Sequence, residues 1–302
     1  MRVVITTMEE KHPDRAGVGE ALVSRLIEKQ FPRWAGLSVT EVASAGTDNA
    51  IFRLGADLAV RLPRHRLAAE SLTNEWQWLP RLSPSLPLAV PVPVGQGTPG
   101  NGFPFPWSVH QWLKGRDLAD TSDIDLSDSA VRLGRFVRVL QQLDAASGPP
   151  SFRGHPIRAA DAVVRARIRK IGAQGLFDVC AAIAVWETIL AAPDWAGAPV
   201  WIHADLYPTN LLATHGRLSA VIDFGGLGVG DPACDMLPAW ALLDGQARAS
   251  FRGEVDVDDA TWQRGRGWAL ALGVGAVDVY QKRNPVLAAM GRRSIAEVLT
   301  ER

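Results

Sequence analysis

Apolar positions along this chain repeat with two different periods, and the change of period divides it. Val18, Leu22, Leu26 and Ile27 are spaced for one face of a helix that Asp14 is placed to cap. Leu37 to Ala43, Ala50 to Leu54 and Leu58 to Leu62 then read as strands, the last two joined by the hairpin turn Gly55-Ala56-Asp57. Leu72, Trp76 and Leu79 restore the helical period over Leu67 to Leu82. Pro84 to Pro106 is too rich in proline and glycine for a helix, and predicts short strands around a turn at Pro99-Gly100-Asn101-Gly102. Trp107 to Leu113 is a further strand. After Gly115 the pattern is helical: Leu133, Phe136, Leu140 and Leu143 share a face behind a cap at Ser127, and Gly148-Pro149-Pro150 breaks the run. Further helices are expected over Ile157 to Ile171, Phe177 to Leu190, Asp235 to Leu243, Ala260 to Tyr280 and Val286 to Leu299. The pattern predicts an α+β chain, with a small β-rich N-terminal lobe over residues 1–114 and a larger, mostly helical lobe over 115–302.

Composition narrows the classes. Hydrophobic residues make up 47% and charged residues 21%, the balance of an ordinary globular chain. The 32 basic and 32 acidic residues cancel, so charge gives no support to a nucleic-acid partner. Two cysteines, Cys180 and Cys234, lack metal-ligand spacing and suit a reduced, cytoplasmic setting. Glu9, Glu10 and Lys11 precede any long apolar run, so no signal peptide is expected. The longest apolar run, Ala269 to Val277, is about half the ~20 residues a membrane span needs. The eleven tryptophans read first as core packing and second as pocket lining.

The chemistry is concentrated between Val200 and Met236. Two apolar strand-like runs there each end in a loop bearing a carboxylate: His203, Asp205 and Asn210 on the first, Asp223, Phe224 and Gly225 on the second. Phosphoryl transfer requires such a layout: a base for the hydroxyl proton, and an amide and a carboxylate to hold Mg²⁺ against the nucleotide phosphates. Asp205 is the candidate base, and His203 is grouped with it as a brace of the same loop. Asn210 and Asp223 are the candidate metal ligands, since Mg²⁺ takes few protein oxygens and keeps waters. Asp231 reads as a helix-start carboxylate, and Asp235 as an anchor for the catalytic-loop backbone.

Several nucleotide contacts are expected upstream. The small polar turn at Ser44 to Asn49, with Gly46, Thr47 and Asn49, is placed to lie over phosphates. Arg61 on its strand needs a carboxylate partner, with Glu75 first and Glu70 second, and the pair would position the phosphates. Gln111 and Leu113, read as lying on an edge strand, would offer backbone groups to a purine. Arg158, Arg165, Arg167, Arg169 and Lys170 read as one solvated helix face.

Together these motifs resemble the aminoglycoside phosphotransferase family, which includes macrolide and choline kinase relatives. The family's H-G-D-L-x-x-x-N is similar to His203-Ala204-Asp205-Leu206-Tyr207-Pro208-Thr209-Asn210, its metal motif to Ile222-Asp223-Phe224-Gly225, and its G-D-P-A-x-D to Gly230 to Asp235. Thr47-Asp48-Asn49, Ala59 to Arg64, Gly265-Arg266-Gly267-Trp268 and Asn284-Pro285 extend the resemblance over nearly the whole chain. It implies a bilobal protein-kinase-like fold, Asp205 as base, Asn210 and Asp223 on Mg²⁺, and Asp235 supporting the loop. Two positions depart: Ala204 replaces the usual glycine, and Arg61 stands where many members have lysine, an exchange the macrolide kinases share.

The implied activity is transfer of the γ-phosphoryl group of ATP or GTP to a hydroxyl of an antibiotic of aminoglycoside or macrolide type, by a monomer or homodimer. A choline- or sugar-type metabolite kinase and a nucleotide-binding pseudokinase scaffold are the alternatives. A cationic aminoglycoside would want acids such as Asp256, Asp258, Asp259 and Asp278. An apolar macrolide would want tryptophans such as Trp240, Trp262 and Trp268.

Overall fold

The computed structural model describes residues 18–42, 48–119 and 122–301; Asp14, Gly46 and Thr47 lie outside them. The described chain forms two compact units, one holding residues up to 114 together with 220–225, the other holding 115–219 and 226–301.

The first unit opens with α1 (Glu20–Gln30), whose N-cap is Gly19 with no side-chain bond, so Val18 precedes the helix rather than lying on its face. Strands β1 (Val39–Glu41), β2 (Asn49–Leu54) and β3 (Leu58–Pro63) follow, then α2 (Arg66–Leu82), β4 (Pro93–Gly97) and β5 (Trp107–Gln111). They make one antiparallel sheet in the order β1-β2-β3-β5-β4. Alternation in β2 turns Ala50, Phe52 and Leu54 inward, where they meet Leu22, Val23, Leu26 and Ile27 of α1. The expected edge strand is corrected. The chain leaves β4 through the turn at Gly100 and Phe103 and returns between β3 and β4, so β5 is interior and β4 is the edge. The Gln111 N–H is accordingly spent on the Val92 carbonyl, 3.3 Å away.

The second unit contains a sheet of β6 (Arg116–Asp117), β8 (Leu211–Thr214) and the first three residues of β9 (Arg217–Val221), and an antiparallel pair of β7 (Val200–Ile202) with β10 (Gly228–Gly230). Its helices are α3 (Leu126–Gln142), α4 (Asp161–Gly172), α5 (Val179–Leu190), α6 (Pro238–Ala241), α7 (Gly245–Val255), α8 (Asp259–Tyr280) and α9 (Pro285–Thr300). Helix α3 starts one residue before Ser127, so Asp125 is the cap and accepts the Asp128 N–H at 2.9 Å. The helix expected from Asp235 to Leu243 is a 3₁₀ segment, Pro232–Met236, followed by α6. Pro238, which lacks an N–H, begins the new helix rather than continuing the old one. The expected solvated face of α4 is corrected in two places: Arg158 precedes the helix and pairs with Asp194, and Arg167 is largely buried beside Asp278, while Arg165 pairs with Asp161 and Glu187 and Lys170 with Asp278.

Trp240, Trp262 and Trp268 are core residues. Among the described residues no helix is long and apolar enough to cross a membrane. Asp231 caps its 3₁₀ segment through the Ala233 N–H, and takes Nε and Nη2 of Arg264 at 2.8 and 3.2 Å with both side chains buried. Breaking such a pair leaves a buried charge without its partner. Asp231→Ala is expected to lower the unfolding free energy by about 3–5 kcal/mol, read by urea denaturation.

Candidate active site

Strand β7 carries Trp201 and Ile202 into the core and stops at His203. The chain then turns under one constraint. Asp235, wholly buried, accepts the His203 N–H on Oδ2 at 2.8 Å and the Ala204 N–H on Oδ1 at 2.7 Å. Ala204, the donor of the second bond, sits at φ 66°, the left-handed region that glycine occupies without strain.

Asp205 follows. Its N–H donates to His203 Nδ1 at 3.2 Å, so the buried imidazole braces the loop. The Asn210 amide, one 3₁₀ turn on, donates to the Asp205 carbonyl at 2.9 Å and to Asp205 Oδ2 at 3.0 Å. The Asp205 side chain is thereby fixed by one oxygen while 26% exposed.

The other oxygen meets a residue that the sequence reading did not select. Arg153 Nη1 ion-pairs with Asp205 Oδ1 and also donates to the Ala204 carbonyl at 2.6 Å. Burial opposes the guanidinium charge, but the Asp205 carboxylate more than compensates and raises the Arg153 pKa. Nothing local signals this arginine. It lies in an irregular segment 52 residues upstream of its partner. Burial also pushes the Tyr207 phenol and the Cys234 thiol up.

The first unit assembles a second group. Arg61 Nη1 lies 2.5 Å from Glu75 Oε2, and Nη2 lies 3.1 Å from Asp223 Oδ1. Arg61 and Glu75 are buried, and burial raises the Glu75 pKa despite its partner. Glu70 pairs instead with Arg66 on the exposed side of α2. Asp223 adopts φ 62° and keeps 39% of its side chain exposed. Asn49 begins β2 opposite Pro63. Gln111 and Leu113 line one recess of about 370 Å³ with Leu86, Leu88, Val90 and Val92. Leu113, beyond the end of β5, makes no backbone hydrogen bond to another described residue.

Most of the acids and tryptophans considered for acceptor binding have structural partners, and Asp256 and Asp258 line a recess with Arg138 and Thr261. Asp258 caps α8 through the Thr261 N–H, Asp259 pairs with Arg252, and Asp278 with Lys170. Trp240 donates to Glu301 at 2.6 Å.

The model of the phosphotransferase enzyme family matches residues 39–268. No curated protein matches the sequence. Solved structures resemble the chain over most of its length. The GDP complex of wild-type aminoglycoside 2'-phosphotransferase-IIIa is 17% identical, with 93% of this chain and 99% of that one covered and a TM-score of 0.72. ADP-bound aminoglycoside phosphotransferase APH(2'')-Ib is 15% identical, covering 94% and 97% with a TM-score of 0.59. The macrolide 2'-phosphotransferase MphH from Brachybacterium faecium is 21% identical, covering 94% and 98% at 0.59. These likenesses establish a kinase-like fold with a β-sheet N-terminal part and a mostly helical C-terminal part.

Two expectations follow from the loop. Ala204→Gly relieves a left-handed alanine that costs about 1–2 kcal/mol and loses part of the gain to chain entropy. A net stabilisation of up to about 1 kcal/mol is expected by denaturation. The Asp235 carboxyl is raised by burial from the usual 3.8 to about 7, with its two N–H bonds pulling the other way. The folded state then holds a proton that the unfolded state has released. The stability Asp235 contributes is therefore full below about pH 4 and is lost as the pH rises through about 7. The difference in unfolding free energy between wild type and Asp235→Asn should fall across that window; a flat difference would contradict the assignment.

Proposed function

The chain belongs to the phosphotransferase enzyme family, and we propose that it transfers the γ-phosphoryl group of ATP or GTP to a hydroxyl of a small molecule. Asp205 is the base. The acceptor oxygen forms the new bond to the γ-phosphorus, the bond from that phosphorus to the bridging oxygen breaks, the nucleoside diphosphate leaves, and the hydroxyl proton passes to Asp205. The observation that supports this best is the setting of Asp205: one oxygen tied to Asn210, the backbone clamped through His203 and Ala204 by Asp235, and the carboxylate still accessible. Such preorganisation is what positioning catalysis requires.

Mg²⁺ fits the donors available. Asn210 spends its amide N–H groups on Asp205, which leaves Oδ1 as a neutral oxygen donor, and Asp223 adds a partly exposed carboxylate. These are hard oxygen ligands of the kind Mg²⁺ takes. Bound with the nucleotide, the ion would neutralise phosphate charge. Arg61, held by Glu75, would address the phosphates, and Leu113 would offer its backbone to the base.

The acceptor reading has two branches. Solved relatives of low identity include aminoglycoside and macrolide 2'-phosphotransferases, which supports an antibiotic hydroxyl. A metabolite alcohol, handled in the cytoplasm, is the second branch: of the four acids considered for a polycation, Asp278 is held by Lys170 and Asp258 by a helix cap, which leaves Asp256 and the exposed Asp259.

Asp205→Asn should lower turnover of the accepted alcohol by about 10²–10⁴-fold and leave nucleotide binding in place. A coupled assay with both nucleotides and an alcohol panel reads this. Nucleotide binding with no turnover by wild type on any alcohol would favour the scaffold reading instead.

A further inference from the structure

The base is not approached by solvent alone. One of its oxygens is covered by a guanidinium, and the segment that delivers that guanidinium is tightly built. Residues 149–154 run alongside β10: Val229 N–H donates to the Pro149 carbonyl at 2.8 Å, Ser151 N–H to the Val229 carbonyl at 3.0 Å, and Asp231 N–H to the Gly154 carbonyl at 3.1 Å. The approach is so close that only glycine fits. A Cβ on Gly228 would lie 2.6 Å from the Ser151 nitrogen, and one on Gly230 would lie 2.2 Å from Gly154 Cα. Ser151 Oγ ties the segment to the Gly226 carbonyl at 2.8 Å. Arg153 is further placed over the Phe152 ring, 5.0 Å from its centroid, with 19% of its own side chain exposed.

An acceptor hydroxyl that reaches the accessible part of Asp205 does so beside this cation. A polycationic acceptor meets a carboxylate whose charge is already balanced, and faces like-charge repulsion from Arg153. A neutral acceptor can hydrogen-bond the carboxylate with the pair intact, but it offers the largely buried guanidinium no anion of its own. An acceptor that carries its own carboxylate or phosphate beside the hydroxyl offers it one, in exchange for Asp205 or beside it. Arginine suits that exchange, because its fork accepts either anion in a two-point geometry. Resting on the kinase reading above, we propose that Arg153 determines acceptor specificity, selecting hydroxyl compounds that bear an anionic group and rejecting polycationic ones.

The test is equilibrium binding of a charge-matched sugar set, glucuronate, glucose and glucosamine, with kanamycin as the polycation. It is read by calorimetry on the full chain with and without Mg²⁺ and a non-hydrolysable ATP analogue. Wild type should bind glucuronate about 10–100-fold more tightly than glucose, the range expected of a charge-assisted contact, with glucosamine and kanamycin weaker still. Arg153→Ala should bring the glucuronate-to-glucose ratio to about one, and Arg153→Lys should restore part of it, a rescue that a merely structural role would not give. Where a set member is turned over, Arg153→Ala should raise KM for the anionic acceptor far more than it lowers kcat.

Equal or reversed binding in wild type overturns the proposal. So does a preference that survives in a folded Arg153→Ala protein, or no binding of any member. The binding measurement does not depend on phosphoryl transfer. Anion preference without Asp205-dependent turnover would defeat the kinase reading alone, and turnover without anion preference would defeat this one alone.

Discussion

A single buried carboxylate organises the loop that carries His203, Ala204 and Asp205. Asp235 accepts two consecutive backbone N–H groups, from His203 and Ala204, and forms no direct ion pair among the described residues. Two adjacent amides converge on this one carboxylate, and the chain turns immediately after them at Ala204, which is held at positive φ. Past that turn Asp205 is partly exposed. Strain at Ala204 and desolvation of Asp235 are both unfavourable locally, and they persist because the surrounding core over-determines the geometry. The buried Asp231–Arg264 pair works at the other end of the same short segment, fixing the 3₁₀ turn from which Asp235 projects.

The parts of the site governed by local sequence were legible in the chain, and those governed by long-range pairing were not. The relation of Asp205 to Asn210 follows from five residues of spacing, and the choice of Glu75 over Glu70 from which face of α2 is apolar. Asp235 was readable as a loop anchor because the motif places it one turn past Asp231. Arg153 was not readable, because a lone arginine in an irregular segment has no period and its partner lies 52 residues away. The misjudged edge strand has the same origin. Strand order depends on where β4 returns, and alternation within β5 is silent on that. Tryptophan spacing likewise cannot separate a pocket wall from a core, and Trp240 and Trp268 proved to be fully buried.

Each unit repeats one electrostatic device. Asp205 is covered by Arg153, and Asp223 by Arg61. Both carboxylates are proposed to act on charged or polar groups, and both are partly exposed. A paired guanidinium keeps each oriented without a ligand, at the cost that a ligand must compete with it. Competition of this kind converts binding into selection: a ligand that offers the guanidinium a replacement anion is favoured over one that does not.

This explains why arginine at position 61 is a coherent choice rather than an impaired lysine. The side chain serves two acids at once, Nη1 to Glu75 and Nη2 to Asp223. A lysine ammonium is a compact point charge, and it would have to share one nitrogen between carboxylates that here meet separate arms of a rigid fork. Glu75 is buried and α2 fixes its place, so the Nη1 contact anchors the fork. Asp223 is the exposed partner, so Nη2 is the arm that an incoming phosphate would claim. The guanidinium can then hand one contact over without leaving Glu75 unpaired in the core. A lysine making the same exchange would have to loosen its hold on the buried acid, and that is the more costly of the two contacts to weaken.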